Sequence, residues 1–487
     1  MKEDLFVGLD VGTQGARVVA CNCRGDIIAS ASQAFDLRSE APLMPGWNEQ
    51  DPLMWWRSAR SCLARLVESL KKESGRHEQI VSLSVDSTSG TILLLDRSGN
   101  PIGKALMYSD SRSTVESDRA NDAGSEFLAK MGYRFQPGFA LPKMMWLAEH
   151  RAEDFERAAY IAHPSDYLLA CLGCDLGVTD TSNVLKSSYD LIDDGWPEFI
   201  ERDLGIPSEK LPRVVKSGKI IGEVDADAAA ATALPVGTKL VAGATDGTAA
   251  FLSSGATEEG DWNSTLGTTL VMRGISRKLV RDPKGRLYCH SHPDGCWLPG
   301  AASSVGGECL AKLFKSDELA ELDRGVSKSI PNDLLVYPLV RKGERFPFVD
   351  PDATGFVIGT PSSDADKYAS HLEGVALVER WAMEVFKELG APTHGQIYAS
   401  GGAIRSDVWL QLRADVLGRR FNVSSNAESA VGAAILAAAP IAYSSISEAV
   451  SNMVRIDRSF EPRSDYAEYF QEKSERLQEA CHKRGYC

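Results

Sequence analysis

Apolar positions near the start of the chain fall in short alternating runs, the pattern of half-buried strands. They predict an antiparallel meander over Phe6–Leu9, Ala16–Cys21 and Ile27–Ala34, with Arg24-Gly-Asp26 as a turn. The period then changes. Leu53, Trp56, Ala59, Leu63, Leu66 and Leu70 recur at helical spacing and predict a helix from Pro52 to Glu73. Strand Ile80–Val85, a polar turn Asp86-Ser-Thr-Ser-Gly90 and strand Thr91–Leu95 follow, then helices over Lys143–Glu149 and Pro164–Cys171. After a hinge at Leu234-Pro-Val-Gly237 the order recurs. Strands are predicted around Leu240–Ala242, Thr265–Arg273, Cys296–Ala301 and Gln396–Ala399, and helices over Ala365–Leu389, Asp407–Leu417, Ala430–Ala438 and Asp465–Lys483. Strand-rich openings followed by helices, twice over, imply two α/β domains with a cleft between them.

Composition narrows the class. With 53 Lys+Arg against 67 Asp+Glu the formal charge is −14, which disfavours a surface for the phosphate backbone of nucleic acid. No apolar run has the length of a membrane span. The charged opening Met1-Lys-Glu-Asp predicts no leader, so a cytoplasmic protein is expected. Ten cysteines in this length are too sparse for a disulfide scaffold. Cys171-Leu-Gly-Cys174 has redox spacing but no second pair close behind it. Cys289, His290, His292 and Cys296 have zinc-ligand chemistry, yet Arg286–Leu298 reads better as a hairpin turning at Pro293-Asp-Gly295.

One short pattern occurs twice. Leu5–Val7 leads into Gly8-Leu-Asp10-Val-Gly12-Thr13-Gln14-Gly15. Leu240–Ala242 leads into Gly243-Ala-Thr-Asp246-Gly247-Thr248, with Thr265-Leu-Gly267-Thr268-Thr269 beyond. An apolar strand running into a carboxylate and a small Gly/Thr turn brings N–H and hydroxyl donors to phosphate oxygens beside an acidic group. Either carboxylate alone would pass as a strand-end turn residue; two such corners facing across a cleft suggest a nucleotide-dependent phosphotransferase. A P-loop is excluded. Gly99-Asn-Pro-Ile-Gly103-Lys104 is one residue short between glycines, Ala105 stands where a magnesium-binding hydroxyl is needed, and the segment reads as a hairpin turn. A third corner, Ser400-Gly401-Gly402, opens the run to Ser406, Trp409 and Gly418.

These segments together resemble the FGGY carbohydrate kinases. The Asp10 and Asp246 corners are similar to the family's two phosphate-binding segments, and Ala399–Gly418 to its adenosine segment. Leu141-Pro-Lys143-Met-Met-Trp146-Leu and Leu372-Glu-Gly-Val-Ala-Leu377 with Arg380 resemble two family signatures. Tyr108-Ser-Asp110-Ser-Arg112, Ser165-Asp-Tyr-Leu168 and Gly205-Ile-Pro207 with Leu211-Pro212 follow in family order, so the likeness runs from Val7 to about Phe460. It implies two actin-like, ribonuclease-H-like domains around a central cleft, with ATP and Mg2+ as cofactors. The expected boundaries are 1–238 for the sugar-side domain, 239–460 for the ATP-side domain carrying the catalytic Asp, and 461–487 for a helix packing back toward the first domain.

The same resemblance implies roles. Asp246 would be the general base and would touch the sugar; Asp10 would place magnesium and also touch substrate. Gly12, Thr13, Gln14, Gly267 and Thr268 would cradle phosphates, with Gly401, Gly402, Ser406 and Trp409 around the nucleoside. Gly247 and Ser406 replace asparagines common in the family, which softens the nucleotide contacts. The common bacterial xylulose kinases carry Gln-Met-His-Gly in the turn that here reads Asp86-Ser-Thr88-Ser89-Gly90-Thr91, and no His lies between His77 and His150. That turn is similar to the ribulose-phosphorylating branch, so D-ribulose, held by Ser89, is the expected acceptor and D-xylulose the alternative. A homodimer is compatible with the sequence. The reading of another class, an actin-like ATPase chaperone or scaffold, is disfavoured because too few residues follow Glu428 to add a peptide-binding domain.

Overall fold

The computed structural model describes residues 3–37, 44–72 and 75–486. The opening meander forms as expected: β1 (Leu5–Val11), β2 (Gly15–Cys21) and β3 (Ile27–Ala34) pair antiparallel. Three more strands complete a six-stranded sheet: β4 (Ile80–Ser87), β5 (Ile220–Glu223) and β6 (Lys239–Thr245), in the order β5-β6-β4-β1-β2-β3. The β1/β4 and β4/β6 pairs are parallel, so three apolar strands end on the same edge. The Pro52–Lys72 helix covers one face with Trp55, Ala59, Cys62, Leu63, Leu66 and Leu70. Leu53 is exposed and Trp55, not Trp56, starts the buried stripe; Glu73 lies outside the described residues. The Ser429–Ala442 helix packs on β1 and β4. Its alanines allow close approach: a Cβ at Gly8 would meet the Ala430 carbonyl oxygen at 1.9 Å.

The second sheet repeats this plan. Its strands are β7 (Trp262–Leu266), β8 (Leu270–Gly274), β9 (Tyr288–Ser291), β10 (Trp297–Ser303), β11 (Ile397–Ser400), β12 (Phe421–Ser424) and β13 (Ile456–Phe460). Their order is β9-β10-β8-β7-β11-β12-β13. Again a hairpin (β7/β8) and an antiparallel neighbour (β10) flank parallel strands (β7/β11/β12). The single strand expected over Thr265–Arg273 is two, because Gly267 and its neighbours close a tight turn in which the Gly267 N–H donates to the Thr269 carbonyl at 3.1 Å. The long Asp364–Glu388 helix is buried along most of its length.

By packing the chain forms two compact units: residues 1–253 with 290–295 and 426–455, and residues 254–289 with 296–425 and 456–487. The first boundary thus falls after Asp246, where the sequence reading set it at 238. The C-terminal helix, Ala467–His482, packs on the Asp364–Glu388 and Asp407–Leu417 helices of the second unit. The reason is electrostatic as well as apolar: its buried Lys473 donates to the buried carboxylate of Glu373 and to the Asn332 carbonyl. Among the described residues no single helix is long and apolar enough to cross a membrane.

Candidate active site

The parallel registers of the first sheet decide where the acidic groups meet. Asp10 on β1 lies directly opposite Asp86 on β4, and Ser87 lies opposite Thr245 on β6, the residue before Asp246. Asp10, Asp86 and Asp246 therefore stand at the carboxyl ends of three adjacent strands, the edge at which open α/β sheets bind ligands. This corrects the reading of Asp10 and Asp246 as corners of two facing repeats: both belong to one edge of one sheet. The true internal repeat pairs the Asp10 corner with β7-turn-β8. There Thr265 lies opposite Ser400, as Asp10 lies opposite Asp86. The Thr265 and Ser400 hydroxyls hydrogen-bond at 2.7 Å. One sheet thus ends in carboxylates and the other in hydroxyls.

The electrostatics of the acidic edge are strained. Asp86 is fully buried, and its carboxyl faces that of Asp10 with no N–H or hydroxyl donor on either oxygen. Burial, then the charges of Asp10 and Asp246, hold its carboxyl well above the usual range. Asp10, half-buried, is pushed up to about 6, chiefly by burial; its contact with Asp86 and the Arg17 guanidinium work the other way. Asp246 is half-buried, and the Gly247 N–H donates to its Oδ1 at 2.6 Å, fixing the carboxylate. Beneath it the Ser182 hydroxyl bonds to those of Thr245 and Thr248 and accepts the Thr245 N–H, so the strand end is held by a buried polar chain. A set of hard oxygen donors with two orphaned oxygens fits Mg2+. Asp10 would hold the ion with Asp86 beside it, and the ion would neutralise charge on phosphate oxygens. The local sequence pattern presents Asp86 only as part of a turn; the signal that finds it is its register with Asp10.

The Asp86–Thr91 turn is braced from below. The ammonium of Lys143, fully buried, donates to the carbonyls of Gly90 (3.0 Å), Met107 (2.6 Å) and Gly138 (2.9 Å), and burial pushes its pKa down to about 7. Arg112 stacks on Trp47 and Trp146, 3.6 and 4.8 Å from their ring centres, and pairs with buried Asp110 and Glu49. Within this rigid frame the Ser89 hydroxyl oxygen is buried without a partner. Gly12, Thr13 and Gln14 form the β1–β2 turn; the Gly12 N–H donates to Gly15, the Thr13 carbonyl accepts from Gln50, and Gln14 is exposed.

In the second unit a cavity of about 790 Å³ is lined by Gly267, Thr268, Gly402, Ser406 and Trp409, the size expected of a small-molecule site. Glu308, Arg341 and Tyr368, which the sequence reading did not single out, line it too. Gly401 has φ 84°, and a Cβ there would meet the Leu266 carbonyl oxygen at 2.6 Å, so this corner requires glycine. Ser406 caps the Asp407–Leu417 helix, accepting the Trp409 N–H at 3.1 Å. Trp409 is nearly buried with its indole N–H given to Leu372, leaving its ring to the cavity. Behind β7 a buried triad holds the corner: Arg413 pairs with Glu379 at 2.7 Å and donates to Ser264 at 2.8 Å.

Among the described residues the cysteine motifs bring no three metal-ligating atoms together. Burial pushes the Cys171 and Cys174 thiols up to about 11 and 12, away from thiolate chemistry. Cys289 donates to the Val280 carbonyl, and the Nδ1 of His292 accepts from the Asp294 N–H.

Two sheets of one topology, with an acidic edge and a glycine-rich cavity, define an actin-like phosphotransferase. Residues 5–253 match the N-terminal domain of the FGGY family of carbohydrate kinases and residues 263–440 match its C-terminal domain; the chain belongs to that family and is a carbohydrate kinase. It is 28% identical over 474 residues to the xylulose kinase of Bacillus subtilis strain 168, covering 94% of this chain and 93% of that one. It is 28% identical over 498 residues to the L-xylulose/3-keto-L-gulonate kinase of Escherichia coli K12, covering 97% and 96%. The crystal structure of a xylulose kinase from Rhodospirillum rubrum superposes with a TM-score of 0.87 at 27% identity over 98% of both chains. ATP-dependent phosphorylation of a sugar is the activity of this family, and ATP with Mg2+ is typical of it.

Proposed function

We propose that the protein transfers the γ-phosphoryl group of ATP to the terminal hydroxyl of a ketopentose. The observation that supports this most is the convergence of Asp10, Asp86 and Asp246 on one strand edge, with the orphaned hydroxyl of Ser89 in the turn that follows Asp86. Phosphoryl transfer asks the protein for position and charge neutralisation rather than covalent chemistry. Asp246, oriented by the Gly247 N–H, accepts the proton of the attacking hydroxyl. Asp10 holds the magnesium side of the site. Ser89 and Asp246 bind sugar hydroxyls. Gly267 and Thr268 donate to phosphate oxygens, and Gly402, Ser406 and Trp409 line the nucleoside cavity, with Gly401 fixing the corner behind Gly402.

Among ketopentoses the comparisons favour xylulose, the sugar most of the named relatives carry in their names, and D-xylulose is the form proposed here. D-ribulose is the second reading, and one observation favours it: the turn offers a short hydroxyl at Ser89 and no imidazole. ADP release with Mg-ATP against D-xylulose, D-ribulose, L-ribulose, glycerol and erythritol, for wild type and Ser89→Ala, tests both. A ketopentose should exceed the polyols at least tenfold in kcat/KM, and Ser89→Ala should raise its KM about tenfold with a smaller change in kcat, as loss of one hydrogen bond to substrate does. Preference for a polyol, or an unchanged KM in the variant, would overturn the assignment of that turn.

A further inference from the structure

Away from the strand edge, two helices of the first unit bring a second group of metal-ligating side chains together. Glu116 comes from the Thr114–Ala123 helix, and Glu149 and His150 from the end of the Ala140–His150 helix that packs on it. One ligand atom from each lies within 4.8 Å of the others. We propose that Glu116, Glu149 and His150 form a binding site for a divalent transition-metal ion of the Zn2+ class.

Glu116 is the buried member of the group. Its side chain is only 4% exposed, and its Oε2 is buried with no hydrogen-bond partner. A desolvated carboxylate oxygen without a partner is costly and calls for a compensating charge. The His150 imidazole does not supply it through a hydrogen bond, since its Nε2 stands 3.6 Å from Glu116 Oε1. The geometry suits an ion between them instead. The imidazole is held by stacking on Trp146, with centroids 4.9 Å apart and planes inclined by 29°. His150 and Glu149 are both exposed, so their ligand atoms are free to close inward to metal-bond spacing. One imidazole and two carboxylates leave a coordination position for water and match zinc, or manganese and cobalt, better than a soft thiolate-seeking ion. Arg119 now pairs with Glu149 and competes with any cation for that carboxylate. The ion would brace the end of the same helix whose Lys143 supports the sugar turn.

The test is titration of the whole protein, freed of metal with chelator, with ZnCl2 alone, read by calorimetry and by melting temperature. Wild type should bind one Zn2+ more than either Glu116→Gln or His150→Ala, with micromolar affinity and a raised Tm. Arg119→Ala should tighten binding several-fold by freeing Glu149. Glu116→Gln should fold and, without metal, melt no lower than wild type, because it removes a buried carboxylate whose Oε2 has no hydrogen-bond partner and whose Oε1 has only the exposed His150 within ion-pair range. Equal Zn2+ stoichiometry and affinity in wild type and both variants, or no binding to wild type below 100-fold excess metal, would overturn the site.

Discussion

At the scale of single residues the acidic edge carries a tension between stability and use. Asp86 is buried beside two other carboxyls with no donor to satisfy it. Its folded-state pKa lies above the ordinary value of 3.8, and that of Asp10 is about 6. The folded state therefore binds protons more tightly than the unfolded chain over this window. The stability these groups allow is fully present below about pH 4 and is lost as pH rises through their folded values. Asp86→Asn should then raise Tm at pH 8 by about 2–4 °C, with less gain at pH 5, while sugar-dependent turnover falls. Differential scanning calorimetry at the two pH values, beside a turnover assay, checks this. A lower Tm with full activity would make Asp86 a structural anchor only. The sequence showed Asp10 and Asp246 through their Gly/Thr turns, but it could not show Asp86, because strand register across some seventy residues is not a local signal.

At the scale of elements, the site depends on how closely helices approach the strands that end in it. In the Ser429–Ala442 helix a Cβ at Gly432 would meet the Ala249 carbonyl oxygen at 1.8 Å, and Ala249 lies in the short helix that begins at Asp246. Gly432→Ala should therefore cost about 1–3 kcal/mol of stability by overpacking and lower kcat at least tenfold by shifting Asp246. Nucleotide affinity should be preserved, as measured by ADP titration. Unchanged kcat with a lowered Tm would show that Asp246 does not feel this contact. The elements themselves were largely legible: Ile27–Ala34 and Asp407–Leu417 fall where alternation and helical spacing predict. The β7–β8 hairpin was read as one strand because its turn residues, Gly267-Thr268-Thr269, sit inside an otherwise continuous β-forming run.

At the scale of the whole molecule the chain is one plan used twice with different chemistry at the strand ends. Carboxylates stand at Asp10 and Asp86 in the first sheet, hydroxyls at Thr265 and Ser400 in the second. The sequence disclosed the repetition but paired the wrong copies, since Asp246 resembles Asp10 locally while belonging to the same sheet. The buried Lys473–Glu373 pair ties the closing helix to the second unit, a contact between positions a hundred residues apart. Domain membership depends on contacts between distant segments, as when residues 426–455 return to the first unit, and no local pattern encodes them.

The central claim is that Asp246 is the base of a sugar kinase. The most direct measurement is sugar-dependent ADP release by wild type and Asp246→Asn with Mg-ATP and the preferred ketopentose, alongside the affinity of each for Mg-ADP. The account predicts that the variant loses at least a thousandfold in kcat, in the range that positioned general-base catalysis supplies, and binds Mg-ADP within twofold of wild type. Turnover in the variant within twofold of wild type would contradict it.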